Sequence, residues 1–282
     1  MAPSLSDLVP DQEPEVVATG FQFTEGPLWH PDGYLLFSDI PTDTIHRWSA
    51  SAGIQVFLTP SANSNGLTFD GQGRLVACEH GGRRVSRMGT EGAMEPAADL
   101  YQGKRLNSPN DVVVHSSGAI YFTDPPYGIL PDLGEQGFNG VYRLNTNGSL
   151  DLLVSDFVRP NGLAFSPDES TLYVDDSHRR QTWAFGLRPD GWLSNGRLFV
   201  DQDVEPLGSP DGMKVDVEGN LYITGGGGLW VVDPAGRHLG TIPFPELPAN
   251  LAFGDDDLRS IYVTARTSIY RLRINVPGIR VL

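Results

Sequence analysis

The chain has 282 residues, 39% of them hydrophobic, with 33 glycines and 22 prolines. That apolar share supports a sizeable core and argues against disorder. The 20 basic and 35 acidic residues give a formal charge of −15, which excludes nucleic acid and an anionic membrane surface as partners. The single cysteine, Cys78, lies in an apolar run, so no intrachain disulfide forms and the thiol reads as core. No apolar stretch approaches the ~18 residues of a membrane span. Residues 1–14 carry neither a basic nor an apolar leader region, so a flexible arm and a cytoplasmic protein are expected. One domain is expected over 15–282. Oligomeric state is unreadable.

In chain order, Glu15–Thr19 (EVVAT) reads as a lone strand. Then a phrase begins that the chain repeats. Its copies start at Glu25 (EGPLWHPDGYLLFSD), Asn65 (NGLTFDGQGRLVACE), Asn110 (NDVVVHSSGAIYFTD), Asn161 (NGLAF, then LYV) and Asp211 (DGMKVDVEGNLYITG). A worn sixth copy starts at Ala249 (ANLAFGDDDLRSIYVTA). The starts at 25, 65, 110, 161, 211 and 249 suit propeller blades of ~40–50 residues. After the first copy, turn residues separate Tyr34–Ser38, Thr44–Trp48 and Ile54–Leu58. This is the grammar of a four-stranded antiparallel blade. No amphipathic stretch of useful length supports a helical repeat. The expectation is an all-β, six-bladed β-propeller with four-stranded antiparallel blades. The last copy is one strand short, so Glu15–Thr19 is expected to complete it and close the ring.

The leading residues of the copies are Glu25, Asn65, Asn110, Asn161, Asp211 and Ala249. Inner strands line a propeller's channel, so symmetry gathers the first five around one axis. Converging carboxylates and carboxamides are costly unless satisfied, and a hard cation such as Ca²⁺ takes such oxygens. The competing reading is that Asn-Gly and Asp-Gly merely start tight turns. Glu25 fits that reading poorly. A second set ends the second strands: Asp39, Glu79, Asp124 and Asp176. These either orient the first ring or cap turns locally. His80 directly follows Glu79 and can reach the channel. The longest insertions flank the third copy, at 101–109 and 125–139, and hold Arg105, Asn107 and Tyr127. There is no GxSxG elbow, HExxH or CxxC, and the glycine run 225–228 lacks the Lys-Ser/Thr of a phosphate loop.

EGPLW at 25–29, SPNDVVV at 108–114, RPNGLAFSPD at 159–168 and SPDGM at 209–213 together resemble the SMP-30/gluconolactonase/luciferin-regenerating family. RLNSPND and YFTDPPYG are most similar to its bacterial and fungal gluconolactonase branch. The resemblance spans roughly 20–275. It implies one divalent ion in the channel, Ca²⁺ before Mg²⁺, Mn²⁺ or Zn²⁺. Glu25, Asn161 and Asp211 match ligand motifs, and Asn110 matches as a ligand or substrate contact. Arg105 and Asn107 lie where members place substrate-binding residues. Asn65 and His80 carry no transferred role and are placed on the substrate side by the ring argument. The implied activity is hydrolysis of a sugar lactone to the aldonic acid, a step in carbohydrate metabolism. Asp211 would act as general base or as nucleophile. Two rivals stay open: an organophosphate or aryl ester hydrolase on the same ion, and a non-catalytic binding propeller with a structural ion.

Overall fold

The structure, a computed structural model, describes residues 3–206 and 208–281. Among these residues the strands form six four-stranded antiparallel sheets and one two-stranded hairpin, Leu100–Tyr101 with Lys104–Arg105. The sheets are the blades of a six-bladed propeller. The inner strands of blades 1 to 6 are Thr24–His30, Ser64–Phe69, Val112–Val114, Pro160–Phe165, Met213–Val215 and Pro248–Gly254. Blade 1 then runs outward through Tyr34–Asp39, Thr44–Ser49 and Gly53–Leu58. Blades 2 to 5 follow the same order. Blade 6 takes its outermost strand from the start of the chain: Glu15–Thr19 pairs antiparallel with Ser268–Arg273. The closure expected from the spare strand is therefore present.

Burial explains the strand sequences. The second strands, such as Leu75–Glu79 and Ile120–Asp124, are buried throughout. Both faces are covered by neighbouring blades, so they read as continuous apolar runs. The outermost strand of blade 1, Gly53–Leu58, is almost wholly exposed. The core lies in the seams between blades. Leu28, Leu36 and Ile45 of blade 1 pack with Leu67, Phe69 and Ala77 of blade 2. The seam between blades 6 and 1 joins Leu35 and Phe37 to Ala252, Tyr262 and Ile269.

Residues 3–14 depart from the expected flexible arm. Leu5–Leu8 forms one short helical turn. Leu8 and Val9 are buried in the cluster that joins blades 5 and 6. Two apolar side chains in twelve residues are enough to seat the segment.

Around the channel the inner strands approach one another closely. The Gly66 amide donates to the Asn110 carbonyl at 2.8 Å, and the Gly212 amide to the Ala249 carbonyl at 2.7 Å. This is why glycine follows most leading residues. A Cβ on Gly162 would lie 1.9 Å from the Asp211 carbonyl oxygen. Gly162→Ala is therefore expected to cost about 1–3 kcal/mol through overpacking. A thermal melt beside Gly71→Ala, whose Cβ would meet nothing within 4 Å, reads that difference.

Candidate metal and substrate site

Each leading residue is aimed by the segment just before it. The carboxylates ending the second strands hold those segments. Asp39 accepts the amides of Gln22 and Phe23, the latter at 2.9 Å. Asp124 accepts those of Asn107 at 2.8 Å and Ser108 at 2.7 Å. Asp176 accepts those of Val158 at 2.8 Å and Arg159 at 3.1 Å. Each of these amides lies two or three residues before a leading residue. Glu79 differs, binding Arg84 and Ser86 instead, and Asp43 takes the Ser61 and Asn63 amides at 3.0 and 2.6 Å. The second set therefore ties backbone locally, and through the backbone it positions the first set.

The leading side chains converge. The Asn65 carboxamide donates to Asn110 Oδ1, and Asn110 Nδ2 donates to Asn161 Oδ1. Asn161 Nδ2 continues to Ser177 Oγ at 3.0 Å, which donates to the Pro210 carbonyl at 2.7 Å. His80 Nε2 lies 3.3 Å from Asn65 Nδ2 and 3.2 Å from Asn110 Oδ1. Glu25 is buried, with Oε2 accepting the Gly26 amide at 2.8 Å. Of the five polar leading residues only Asp211 is not fully buried.

Electrostatics mark the same cluster. Burial, then the charge of Asp111, pushes the Glu25 carboxyl up; Gly26, Asn250 and Lys214 oppose this. Burial, then Glu25 and Asp111, holds the Asp211 carboxyl well above the usual range, and the Asn161 amide opposes it. Burial pushes the His80 imidazole down to about 4, keeping it neutral. Carboxyls whose ionised forms are disfavoured in this way mark functional sites.

Arg105 and Asn107 bond to groups other than the leading side chains. The Arg105 guanidinium donates to the Gly82 carbonyl at 3.0 Å from an exposed side chain. Asn107 is buried, and its amide donates to the Phe138 carbonyl at 2.8 Å and to Asp124 O and Asn139 Oδ1 at 3.2 Å. It ties the 101–109 loop to the ends of the second and third strands of blade 3.

Four buried or channel-facing polar groups escaped the repeat argument. Asp111 and Asn250 stand where most copies have glycine after the leading residue. Asp175 stands where Ser38, Thr123, Thr224 and Thr264 occur in other blades. Lys214 lies three residues beyond Asp211 on the channel wall. Ser38 and Thr123 use their hydroxyls to bind the Asn65 and Asn161 carbonyls of the next blade, at 2.8 and 2.7 Å. An ionised Asp175 cannot donate to such a carbonyl, and both its oxygens are buried without a partner. Asp111 Oδ2 is likewise buried and unpartnered. The available signal was departure from the repeat.

Among the described residues no three His, Cys, Asp or Glu side chains form a metal-holding group. The donor set is two carboxylates, Glu25 and Asp211, with the carboxamides of Asn110 and Asn161. All donors are oxygen, which suits a hard ion and not a thiolate- or imidazole-seeking one. Buried carboxyls with raised proton affinity, beside an unpartnered Asp111 oxygen, also fit a cation.

Fold and site thus define a six-bladed propeller with an oxygen-lined channel mouth. The profile of the SMP-30/Gluconolactonase/LRE-like region matches residues 23–267, and the chain belongs to that family. It is 36% identical to a gluconolactonase of Zymomonas mobilis over 94% of this chain and 82% of that one. It is 30% identical to a pentonolactonase of Haloferax volcanii over 88% of this chain and 83% of that one. A solved gluconolactonase structure from Xanthomonas campestris superposes with a TM-score of 0.88 at 37% identity, covering 96% of this chain and 92% of that one.

Proposed function

We propose that this protein hydrolyses a sugar lactone to the aldonic acid at the channel mouth, with one divalent ion, Ca²⁺ first, held by Glu25, Asn110, Asn161 and Asp211. The observation that carries the reading is the convergence of Glu25 and Asp211 with the linked carboxamides of Asn65, Asn110 and Asn161. Relatives named for two sugar-lactone substrates support the substrate class. A bound ion supplies Lewis-acid polarisation of the lactone carbonyl and charge for the developing oxyanion. The chain's residues do the rest. Asp211, the least buried of the leading residues, either takes a proton from the attacking water or attacks the carbonyl carbon itself. His80 is neutral and, with Asn65, offers hydrogen bonds to sugar hydroxyls beside Asn110. Arg105, exposed and bonded to the Gly82 carbonyl, and the buried Asn107 remain on the substrate side by their motif.

A proton-release assay on gluconolactone and pentonolactones, with and without exhaustive chelation, tests this. Chelation is expected to remove at least about a hundredfold of the rate, the equivalent of a few kcal/mol of carbonyl and oxyanion stabilisation. Ca²⁺ should restore it, and the β-sheet circular dichroism should persist in the chelated protein. Turnover that survives chelation would rule out the catalytic ion. Faster turnover of a phosphotriester or aryl ester than of any lactone would reassign the substrate.

A further inference from the structure

The insertion at 125–139 opens with Pro125, Pro126, Tyr127 and Gly128. Two prolines fix the backbone just ahead of Tyr127. Gly128 fixes it just behind. The Gly128 amide donates to Ser108 Oγ at 2.9 Å, and a Cβ on Gly128 would lie 2.6 Å from the His80 Cβ. Any side chain there would push the turn away. The turn therefore rests directly on His80, whose Nε2 lies 3.2 Å from Asn110 Oδ1.

From that seat the Tyr127 side chain reaches towards blade 4. The Arg159 guanidinium carbon lies 5.6 Å from its ring centroid, a cation–π contact. Arg159 stands two residues before Asn161, and its carbonyl accepts the Ser177 amide at 3.0 Å. The Tyr127 hydroxyl interacts with Ser177, whose Oγ also accepts Asn161 Nδ2. Tyr127 thus spans from the His80 side of the site to the Asn161 side. It is held at both ends, yet it remains 41% exposed, so part of the aromatic surface has nothing packed on it.

The side chains that converge at the site, Asn65, His80, Asn110, Asn161 and Asp211, are all polar. They suit the hydroxyls and carbonyl of a sugar lactone but offer nothing to the C–H faces of its ring. Small-molecule sites pair a few placed polar groups with an apolar or aromatic wall. A tyrosine ring supplies such a wall with few rotatable bonds to freeze.

We propose that Tyr127 is a substrate-binding residue: its exposed ring is the wall against which a C–H face of the lactone's sugar ring packs. The proposal rests on the lactonase reading. A packing contact of this kind is equally strong before and in the transition state, so it acts on KM and leaves kcat alone. The alternative is that the ring only pins its loop to Arg159.

The test is steady-state kinetics of the full chain with Ca²⁺, on whichever of gluconolactone and the pentonolactones the wild type turns over fastest, with thermal melts as the folding control. Tyr127→Ala is expected to raise KM about 10–100-fold, the worth of one aromatic contact, with kcat within about threefold of wild type. Tyr127→Phe keeps the ring and should hold both constants within about threefold. Arg159→Gln removes the pin and keeps the ring, so its KM should also stay within about threefold. An unchanged KM in Tyr127→Ala overturns the proposal. So does a Phe or Arg159→Gln variant as impaired as Tyr127→Ala, or a loss carried by kcat. If Tyr127→Ala does not melt cooperatively, Tyr127→Leu, which keeps bulk without the flat face, is read by the same criterion. A wild type that turns over no sugar lactone would sink the lactonase reading itself, a result distinct from an unchanged KM in the variant.

Discussion

Asp211→Asn is expected to reduce lactone turnover by about 10²–10⁴-fold, the range lost when a positioned general base is removed. A nucleophilic Asp211 predicts a loss at least as large, because asparagine cannot form the same acyl intermediate. The stability effect should have the opposite sign. Burial and the charges of Glu25 and Asp111 oppose ionisation of Asp211. An acid whose folded pKa lies above its unfolded value costs stability once the pH exceeds the unfolded value. Asparagine removes that cost with little change in shape. Without metal the variant should therefore melt at or above the wild-type temperature near pH 7. Steady-state kinetics and melting curves on one preparation read both effects. Activity within a few-fold of wild type would eliminate both roles of Asp211. A large drop in melting temperature would mean that its carboxylate serves the fold.

This opposition between stability and chemistry explains which parts of the molecule were legible in the sequence. The blades were, because each second strand is buried on both faces and must be apolar, as in LVAC and IYF. The closing strand was legible by subtraction, since the sixth copy supplied one strand too few. The leading residues were legible because oxygen-bearing side chains recur there without serving the apolar pattern. The acids ending the second strands were visible, but their role was not. Only coordinates show that Asp39, Asp124 and Asp176 hold the amides just ahead of each leading residue. Position within a repeat does not reveal which backbone donors lie nearby.

The less legible residues break the pattern. Asp111 and Asn250 replace glycine, Asp175 replaces a hydroxyl, and Lys214 stands where the other inner strands carry Leu28, Thr68, Val113, Ala164 and Ala252. Each reads as wear in a repeat when only the sequence is available. Each becomes specific once six strands are gathered around one axis. Arg105 and Asn107 show the converse. Their motif placed them on the substrate side, and the coordinates tie the Asn107 amide to Asp124, Phe138 and Asn139, at the ends of the second and third strands of blade 3. Sequence alone does not show which backbone acceptors a side chain at such a position will meet.

Deleting residues 1–19 is expected to be the most damaging change to the fold. The segment supplies the outer strand of blade 6, registered from Glu15 opposite Arg271 to Thr19 opposite Ser268. It also carries Leu8 and Val9, exposed by only 2% and 0%. The Leu8 carbonyl accepts the Asn275 amide at 2.8 Å, and the Asp7 carbonyl accepts Asn275 Nδ2 at 2.9 Å. Burial of the two apolar side chains contributes about 1.5–3 kcal/mol each. The strand's hydrogen bonds add about 0.5–1.5 kcal/mol each. Their sum approaches the ~5–15 kcal/mol by which whole domains are stable. Loss of the strand would also expose Ser268–Arg273 as an open edge, which invites association. The truncated chain should melt at least ~10 °C lower or aggregate, as read by circular dichroism and size-exclusion chromatography. A shorter deletion of residues 1–10 separates the contributions. It removes Leu8 and Val9 but leaves Glu15–Thr19 paired, so it should lower the melting temperature without opening the edge. If both truncations melted like wild type, the ring would not depend on its closing strand, and the seams between blades would have to hold the propeller alone.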